Sequence, residues 1–156
     1  MQLTREADYA VLCVLEVARF GRMSASEVAK RQNMSAAFLG KIVGSLARAG
    51  ILTTRRGVGG GIALARTPDS LTLLEVVEAV QGPLAINQCL THPGACDRQT
   101  NCYVAPIWHK AQEDLRAALN VSLADVISAG DAAHPVAGPI GDGQVRSIEG
   151  SEAAAP

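Results

Sequence analysis

Apolar residues recur every three or four positions near the start of the chain, a spacing that predicts helices with one buried face. The first predicted helix spans 4–19, with Thr4 as its N-cap. Ser24 and Glu27 have the spacing of a capping box, which predicts a short second helix that ends near Gln32. The chain therefore opens with two amphipathic helices.

A third predicted helix has two faces of different chemistry. Ser35 is suited to cap it, and Gly50 ends it. Its apolar face is formed by Leu39, Ile42, Val43 and Leu46. Its other face carries small and basic residues, namely Ala36, Ala37, Gly40, Lys41 and Arg48. Two short helices joined by a tight turn, the second with such a face, are typical of a helix-turn-helix.

A β-hairpin is predicted directly after the helix-turn-helix. The runs 51–56 and 62–66 flank the sequence Gly57-Val58-Gly59-Gly60-Gly61. These glycines resemble part of a phosphate-binding loop of nucleotide-binding proteins, but such a loop opens a helix, whereas a strand-like run follows here. A helix-turn-helix followed by a hairpin is a winged helix.

The second half of the chain alternates helices with irregular sequence. Thr72 and Glu75 predict a capping box for a helix that ends at Gly82, with an apolar face of Leu73, Val76, Val77 and Val80. A longer helix is predicted from about 104 to 119, with Ile107, Trp108, Ala111, Leu115 and Ala118 on one side. Ser122 caps a short final helix through Ile127.

The predicted fold class is mainly α: a winged helix-turn-helix with a two-stranded β wing and a long C-terminal helix. The winged-helix domain occupies 1–82, a cysteine-rich loop 83–102, the last two helices 103–128 and a tail 129–156. The tail is rich in alanine, glycine and proline. It is expected to be disordered, because it buries too little apolar surface to offset its conformational entropy.

Charge separates the two halves of the chain. Residues 1–66 hold ten basic and four acidic residues, whereas residues 67–156 hold four basic and eleven acidic residues. Such a distribution indicates that only the first half faces a polyanion such as DNA. The N-terminus of a recognition helix meets base edges, so Ser35, Ala36 and Ala37 are candidate base contacts and Lys41 a candidate phosphate contact.

The predicted wing adds Arg55 and Arg56 to the candidate DNA contacts. The neighbouring Gly57, Gly59 and Gly60 would let the backbone approach a duplex, and an arginine can enter the minor groove. The alternative is an ordinary glycine-rich turn with solvated arginines. Lys41 and Arg48 could likewise belong to a solvated helix face.

Length and sequence pattern also exclude several classes of protein. A chain of 156 residues is too short for a large barrel or a doubly wound enzyme. The histidines His92, His109 and His134 lack a convincing nucleophile, so no enzyme is predicted. No apolar run approaches the roughly 18 residues that span a bilayer, and the opening MQLTREADY lacks the layout of a signal peptide. We expect a cytoplasmic protein.

Three of the four cysteines lie in the predicted loop. Cys89, Cys96 and Cys102 have the spacing C-x6-C-x5-C, and thiolates are preferred ligands of zinc, copper and iron-sulfur clusters. A fourth ligand would come from elsewhere in the chain, such as His92 or His109, from a partner subunit or from a small molecule. Zinc sites generally contain C-x2-C pairs, which this loop lacks.

The remaining cysteine, Cys13, lies in the first predicted helix. It falls near the apolar face of that helix. We predict that it is a core thiol rather than a ligand.

The chain resembles the IscR and NsrR family of winged-helix transcription regulators over roughly residues 1–128. The resemblance rests on MQLTREADYAVLCVLEVA, QNMSAAFLGKIVGSLARAGIL, RRGVGGGIALAR, TLLEVVEAV and the three-cysteine loop followed by PIW. It implies a homodimer joined by the helix near 104–119, with each subunit on one half of a palindromic double-stranded DNA operator. It also implies that an iron-sulfur cluster in the cysteine loop controls DNA affinity.

The resemblance further implies a ligand set for the cluster. The iron-sulfur-assembly regulators have a histidine ligand where this chain has Ala105. The nitric-oxide-sensing regulators use an aspartate from the partner's first helix, and Asp8 matches its position. The expected metal ligands are Cys89, Cys96, Cys102 and Asp8, and a 4Fe-4S cluster is favoured over a 2Fe-2S cluster.

Two alternatives remain to this assignment. Asp8 could be a first-turn acid that the helix dipole stabilises. The whole protein could be a cluster-free winged-helix regulator that depends on thiol redox chemistry or on structural zinc.

Overall fold

A computed structural model describes residues 3–92, 94–98 and 101–133. The winged fold class predicted from the sequence is confirmed, with six helices and one two-stranded antiparallel sheet in this part of the chain. The elements in chain order are α1 (Arg5–Phe20), α2 (Ala25–Arg31), α3 (Ala36–Arg48), β1 (Leu52–Arg55), β2 (Gly61–Leu64), α4 (Leu73–Gln81), α5 (Ala105–Leu119) and α6 (Leu123–Ala133). Short 3-10 turns occur at Pro68–Ser70 and Gln88–Leu90.

Side-chain caps begin the first four helices as the sequence predicts. Each cap is a hydrogen bond from a backbone N–H group to a side-chain oxygen three residues earlier in the chain. The accepting residues are Thr4, Ser24, Ser35 and Thr72. In the two capping boxes, Glu27 and Glu75 accept the cap residue's own N–H at 2.9 and 2.8 Å. Each such cap contributes about 1 kcal/mol to helix stability.

The main core lies between α1, α2, α3 and the hairpin. All four residues of the predicted apolar face of α3 are buried there, against Ala10, Val14 and Val17 of α1. Cys13 is also fully buried, which confirms the predicted core thiol. Burial, together with the nearby Glu16 carboxylate, raises the pKa of Cys13 to about 12. This thiol therefore stays protonated and is a poor metal ligand.

The wing is fixed to the body by a bridge that the sequence pattern did not predict. β1 pairs antiparallel with β2, with Leu52 opposite Leu64 and Arg55 opposite Gly61. Met23 then exchanges two backbone hydrogen bonds with Ile62, at 3.0 and 2.7 Å. The hairpin is thus held by the segment between α1 and α2.

Two details of the predicted elements are wrong. The buried face of α4 consists of Leu74, Val76 and Val77, whereas Leu73 and Val80 are only half-buried. The last helix continues beyond its predicted end at Ile127 to Ala133, so the start of the predicted disordered tail is helical. Residues 134–156 of that tail lie outside the described part of the chain.

Both differences come from tertiary contacts. Leu74 packs with Ala7, Val77 and Leu84 in a second apolar cluster, whereas Val80 packs only at the edge of the main core. The last helix is tied to α1 through an ion pair of Asp131 with Arg19 at 2.8 Å.

The long helix α5 leaves much of its apolar surface exposed. Leu115 and Leu119 pack on the second cluster, but α5 has no fully buried residue. At its start, Tyr103 is 100% exposed, Ile107 65% and Trp108 37%. None of the helices among the described residues is both long and apolar enough to cross a membrane.

Candidate DNA interface and cysteine loop

The N-terminus of α3 is presented at the surface. Because the apolar face of α3 is buried, its opposite face points outward, and Ser35, Ala36, Ala37 and Lys41 are all exposed. The Ser35 hydroxyl is occupied in capping, since it accepts the N–H of Phe38 at 3.2 Å. The predicted base-facing residues are therefore small, and the remaining N–H groups of the first turn face solvent.

The wing tip is a tight glycine turn flanked by two exposed arginines. The N–H of Gly60 donates to the carbonyl of Gly57 at 2.9 Å and closes the turn. A Cβ atom on Gly60 would lie 2.3 Å from the carbonyl oxygen of Arg55, so the turn requires glycine there. Arg55 and Arg56 are exposed at the base of this turn.

A groove of about 340 Å³ connects the recognition helix with the wing. Ala36 and Gly40 line it from α3, and Arg55 and Gly57 line it from the wing. Ser24, at the start of α2, closes one end. The two elements predicted to contact DNA thus border the same depression, on one side of the molecule.

Among the described residues, no acid forms an ion pair with the cations of this surface. Five basic residues form ion pairs elsewhere, namely Arg19, Arg31, Arg66, Lys110 and Arg116. Lys41, Arg55 and Arg56 form no ion pair with any residue that the structure describes. Their charges are available to phosphate groups, whose neutralisation dominates the affinity of proteins for DNA.

None of the three loop cysteines forms a disulfide with another described residue, and all three are at least partly accessible. Cys89 and Cys102 are half-buried and Cys96 is exposed. Their donor chemistry fits an iron-sulfur cluster, since soft thiolates are the ligands that such clusters use. Within 3–92, 94–98 and 101–133, however, the single chain brings no three His, Cys, Asp or Glu side chains together as a metal site.

The candidate fourth ligands are separate from one another. Asp8 is exposed in the first turn of α1, and Ala105 begins α5. The Nδ1 atom of His92 lies 2.9 Å from Thr91 Oγ1. His109 is exposed on α5.

Sequence analysis missed a set of polar contacts at the start of the cysteine loop. Glu78, Gln112 and Arg116 bind this part of the loop to α4 and α5. Isolated polar residues give no periodic signal, so a single sequence offers no means of finding them.

Comparison with known proteins gives consistent matches. A family profile described as Rrf2, iron-dependent transcriptional regulator, matches residues 3–129. The HTH-type transcriptional regulator IscR of Klebsiella pneumoniae is 28% identical over 132 residues, which cover 82% of this chain and 80% of that protein. These similar proteins are transcriptional regulators and not enzymes.

Two solved structures share the fold. IscR of T. potens has a TM-score of 0.69 at 22% identity, over 88% of this chain and 94% of that one. CymR, the global cysteine regulator of B. subtilis, has a TM-score of 0.68 at 21% identity, over 83% of this chain and 98% of that one.

Proposed function

The chain belongs to the Rrf2 family of iron-dependent transcriptional regulators, and on that premise we propose that it is a homodimer whose affinity for a palindromic DNA operator is controlled by an iron-sulfur cluster. DNA binding and transcriptional regulation follow from the family itself. The observation that carries the finer proposal is the group of three thiols, Cys89, Cys96 and Cys102, in one loop of an iron-dependent regulator.

Each subunit meets one half of the operator through α3 and the wing. The start of α3, from Ser35 to Ala37, lies in the major groove, and Lys41 contacts a phosphate. Arg55 and Arg56 reach the minor groove, and Gly57, Gly59 and Gly60 allow the wing backbone to come close to the duplex. This arrangement is supported by the groove between α3 and the wing, and by Lys41, Arg55 and Arg56, which form no ion pair among the described residues.

Small side chains at the start of α3 limit direct base readout. Alanine offers only a methyl group, which suits contact with the methyl group of thymine. Sequence specificity therefore depends largely on the wing arginines and on the shape of the DNA.

The exposed start of α5 supports the homodimer. Four large apolar residues are exposed within six positions of the chain, namely Tyr103, Val104, Ile107 and Trp108. Rows of large apolar side chains in water are typical of protein interfaces. Pairing of α5 with its copy would cover them and present two recognition helices to a two-fold symmetric site.

The proposed cluster ligands are Cys89, Cys96 and Cys102, with Asp8 of the partner subunit as the fourth, and a 4Fe-4S cluster is favoured. A bound cluster supplies a centre that responds to nitric oxide, to redox state or to iron supply. Carboxylate ligation would make it more exchangeable than a fourth thiolate, which suits a sensor. The three thiols do not form a metal site in the single chain, so the loop must rearrange to bring them together around a cluster. Cluster binding and loop conformation are therefore linked.

A second candidate is a cluster-free regulator that responds through thiol oxidation or structural zinc. It is favoured by the exposure of Cys96 and by the absence of a three-ligand group among the described residues. The fold shared with a cysteine regulator is compatible with it. This candidate predicts a colourless protein that contains disulfides or zinc.

The metal content of protein purified without oxygen distinguishes the two candidates. We expect a brown protein that contains iron and acid-labile sulfide, and loss of both in Cys96→Ala. The matched control is Cys13→Ala, which removes a buried thiol outside the ligand set and should keep the colour. Full iron and sulfide content in Cys96→Ala, or zinc in place of iron in the wild type, would contradict the cluster proposal.

A further inference from the structure

The cysteine loop is anchored where it leaves α4. Leu84 is 1% exposed and packs between α1, α4 and α5. Its N–H donates to Glu78 Oε1 at 2.9 Å. The loop therefore begins at a fixed point, five residues before Cys89.

Gln112 of α5 holds the same stretch from the other side. Its Nε2 donates to the carbonyl of Leu84 at 2.5 Å, and its Oε1 accepts the N–H of Ile86 at 2.8 Å. A primary amide carries both the donor and the acceptor that these two backbone groups need. A glutamate here would keep the acceptor and lose the donor, and a leucine would lose both.

An ion pair joins the two helices that hold the loop. Arg116 of α5 donates to both carboxylate oxygens of Glu78, with Nη2 at 3.2 Å from Oε2. Burial alone would raise the pKa of Glu78, but the bonds from Arg116 and from the N–H of Leu84 outweigh it and lower that pKa. We call Glu78, Leu84, Gln112 and Arg116 the loop clamp.

Contacts of α4 with α1 connect the loop clamp to the DNA-binding half of the chain. Gln81, at the end of α4, accepts the N–H of Thr4 at 3.0 Å. Thr4 is the N-cap of α1, and α1 packs against the buried face of α3. A contiguous path of contacts thus runs from the start of the cysteine loop to the recognition helix.

We propose that the loop clamp couples the conformation of the cysteine loop to the position of α1 and α3, with Gln112 as its central positioning residue. This inference rests on the proposed control of DNA affinity by the cluster. Ile86 lies three residues before Cys89, so gathering the thiols pulls directly on the segment that Gln112 holds. Gln112 is outside the ligand set. Its substitution should therefore leave cluster binding intact and remove the effect of the cluster on DNA affinity.

The test compares wild type with Gln112→Leu, each measured with iron and after iron removal. The probe is a labelled duplex that the wild type selects from a randomised pool. We expect the ratio of the two Kd values to differ from one in the wild type and to fall within about twofold of one in the variant, at unchanged iron and sulfide content. In the iron-free variant, amide exchange at Ile86 should be faster by about fivefold, the effect of one lost hydrogen bond.

Glu113→Leu is the matched control, since Glu113 is the exposed neighbour of Gln112 on α5. It should keep the wild-type ratio and the slow exchange at Ile86. Gln112→Glu, which preserves one of the two bonds, should reduce the ratio and decides the question if Gln112→Leu does not fold.

Three results would overturn the inference in different ways. If the Kd values of the wild type with and without iron are equal, the cluster does not control DNA affinity, and both the proposed function and the coupling are wrong. If the ratio differs from one in the wild type and stays the same in both Gln112 variants, the loop clamp does not carry the coupling, although the proposed function still holds. Loss of iron from Gln112→Leu would also contradict it, because the residue would then serve the cluster rather than the coupling.

Discussion

At Gly61 the wing passes so close to Met23 that no other residue fits. The backbone there has φ +138°, and a Cβ atom would lie 2.4 Å from the carbonyl oxygen of Met23. Gly59 also has a positive φ, +73°, but a Cβ atom on it would meet nothing within 4 Å. The glycine-rich tip was predictable from the sequence, whereas the requirement for glycine at position 61 depends on a bridge across the fold.

Gly61→Ala should destabilise the protein more than Gly59→Ala. We expect a loss of about 2 to 4 kcal/mol at Gly61 from strain and overpacking, and of about 1 kcal/mol at Gly59 from the left-handed conformation alone. Urea unfolding of the iron-free proteins measures both. Equal losses at the two positions would show that the Met23 bridge does not hold the wing.

Arg56→Ala should weaken DNA binding without loss of stability. Arg56 is exposed and has no ion pair among the described residues. Removing one cation from the DNA interface should reduce the slope of log Kd against log salt by about one unit. Lys110→Ala removes a charge that is paired with Asp114 on α5 and serves as the control. An unchanged slope in Arg56→Ala would place the wing away from the DNA.

Helices whose ends are set by local contacts were predictable, and those set by tertiary contacts were not. The caps at Ser24 and Thr72 lie within four residues of their partners, so the sequence alone identifies them. The last turn of α6 contains an ion pair of Asp131 with Arg19 of α1, a contact between distant parts of the chain that no local pattern reports. The connection of α4 to α5 through Glu78 and Arg116 is of the same kind.

Glu78→Gln should reduce the sensitivity of the fold to acid. The pKa of Glu78 is lowered from its ordinary value of 4.5, so its ionised form stabilises the folded state. That contribution is present above the unfolded-state pKa and is lost as pH falls through the lower folded-state pKa. Unfolding free energies at pH 7 and pH 4 should therefore differ less in Glu78→Gln than in the wild type.

Glu113→Gln, an exposed neighbour on α5, provides the comparison. It should lose as much stability as the wild type between the two pH values. If Glu78→Gln also keeps the full pH dependence, the Glu78 carboxylate contributes nothing to joining α4 and α5.

At the scale of the whole molecule, charge and apolar surface lie in different places. The basic surface is built from α3 and the wing, whereas the exposed apolar residues lie at the start of α5. The winged half and its charge were predictable, because helix periodicity and composition report them directly. The position of the three thiols relative to Asp8 was not predictable from the sequence, because the proposed site needs a second chain and a rearranged loop.

Ile107→Glu should convert the proposed homodimer into a monomer. Ile107 is 65% exposed, and a carboxylate there would be buried without a partner on pairing of two α5 helices. Light scattering should report the mass of one chain instead of two, and DNA affinity should fall with it. Glu113→Lys changes charge elsewhere on α5 and should stay dimeric. A wild-type protein with the mass of a single chain would contradict the proposed interface.

In the proposed mechanism, an iron-sulfur cluster bound to the cysteine loop changes the affinity of the winged-helix half for DNA. The most direct measurement is the Kd for one selected duplex, taken on the same oxygen-free preparation before and after its iron is removed. We expect a change of roughly 5-fold to 150-fold, the usual range of allosteric coupling, and no such change in Cys96→Ala. Identical Kd values for the iron-loaded and iron-free wild type would contradict it.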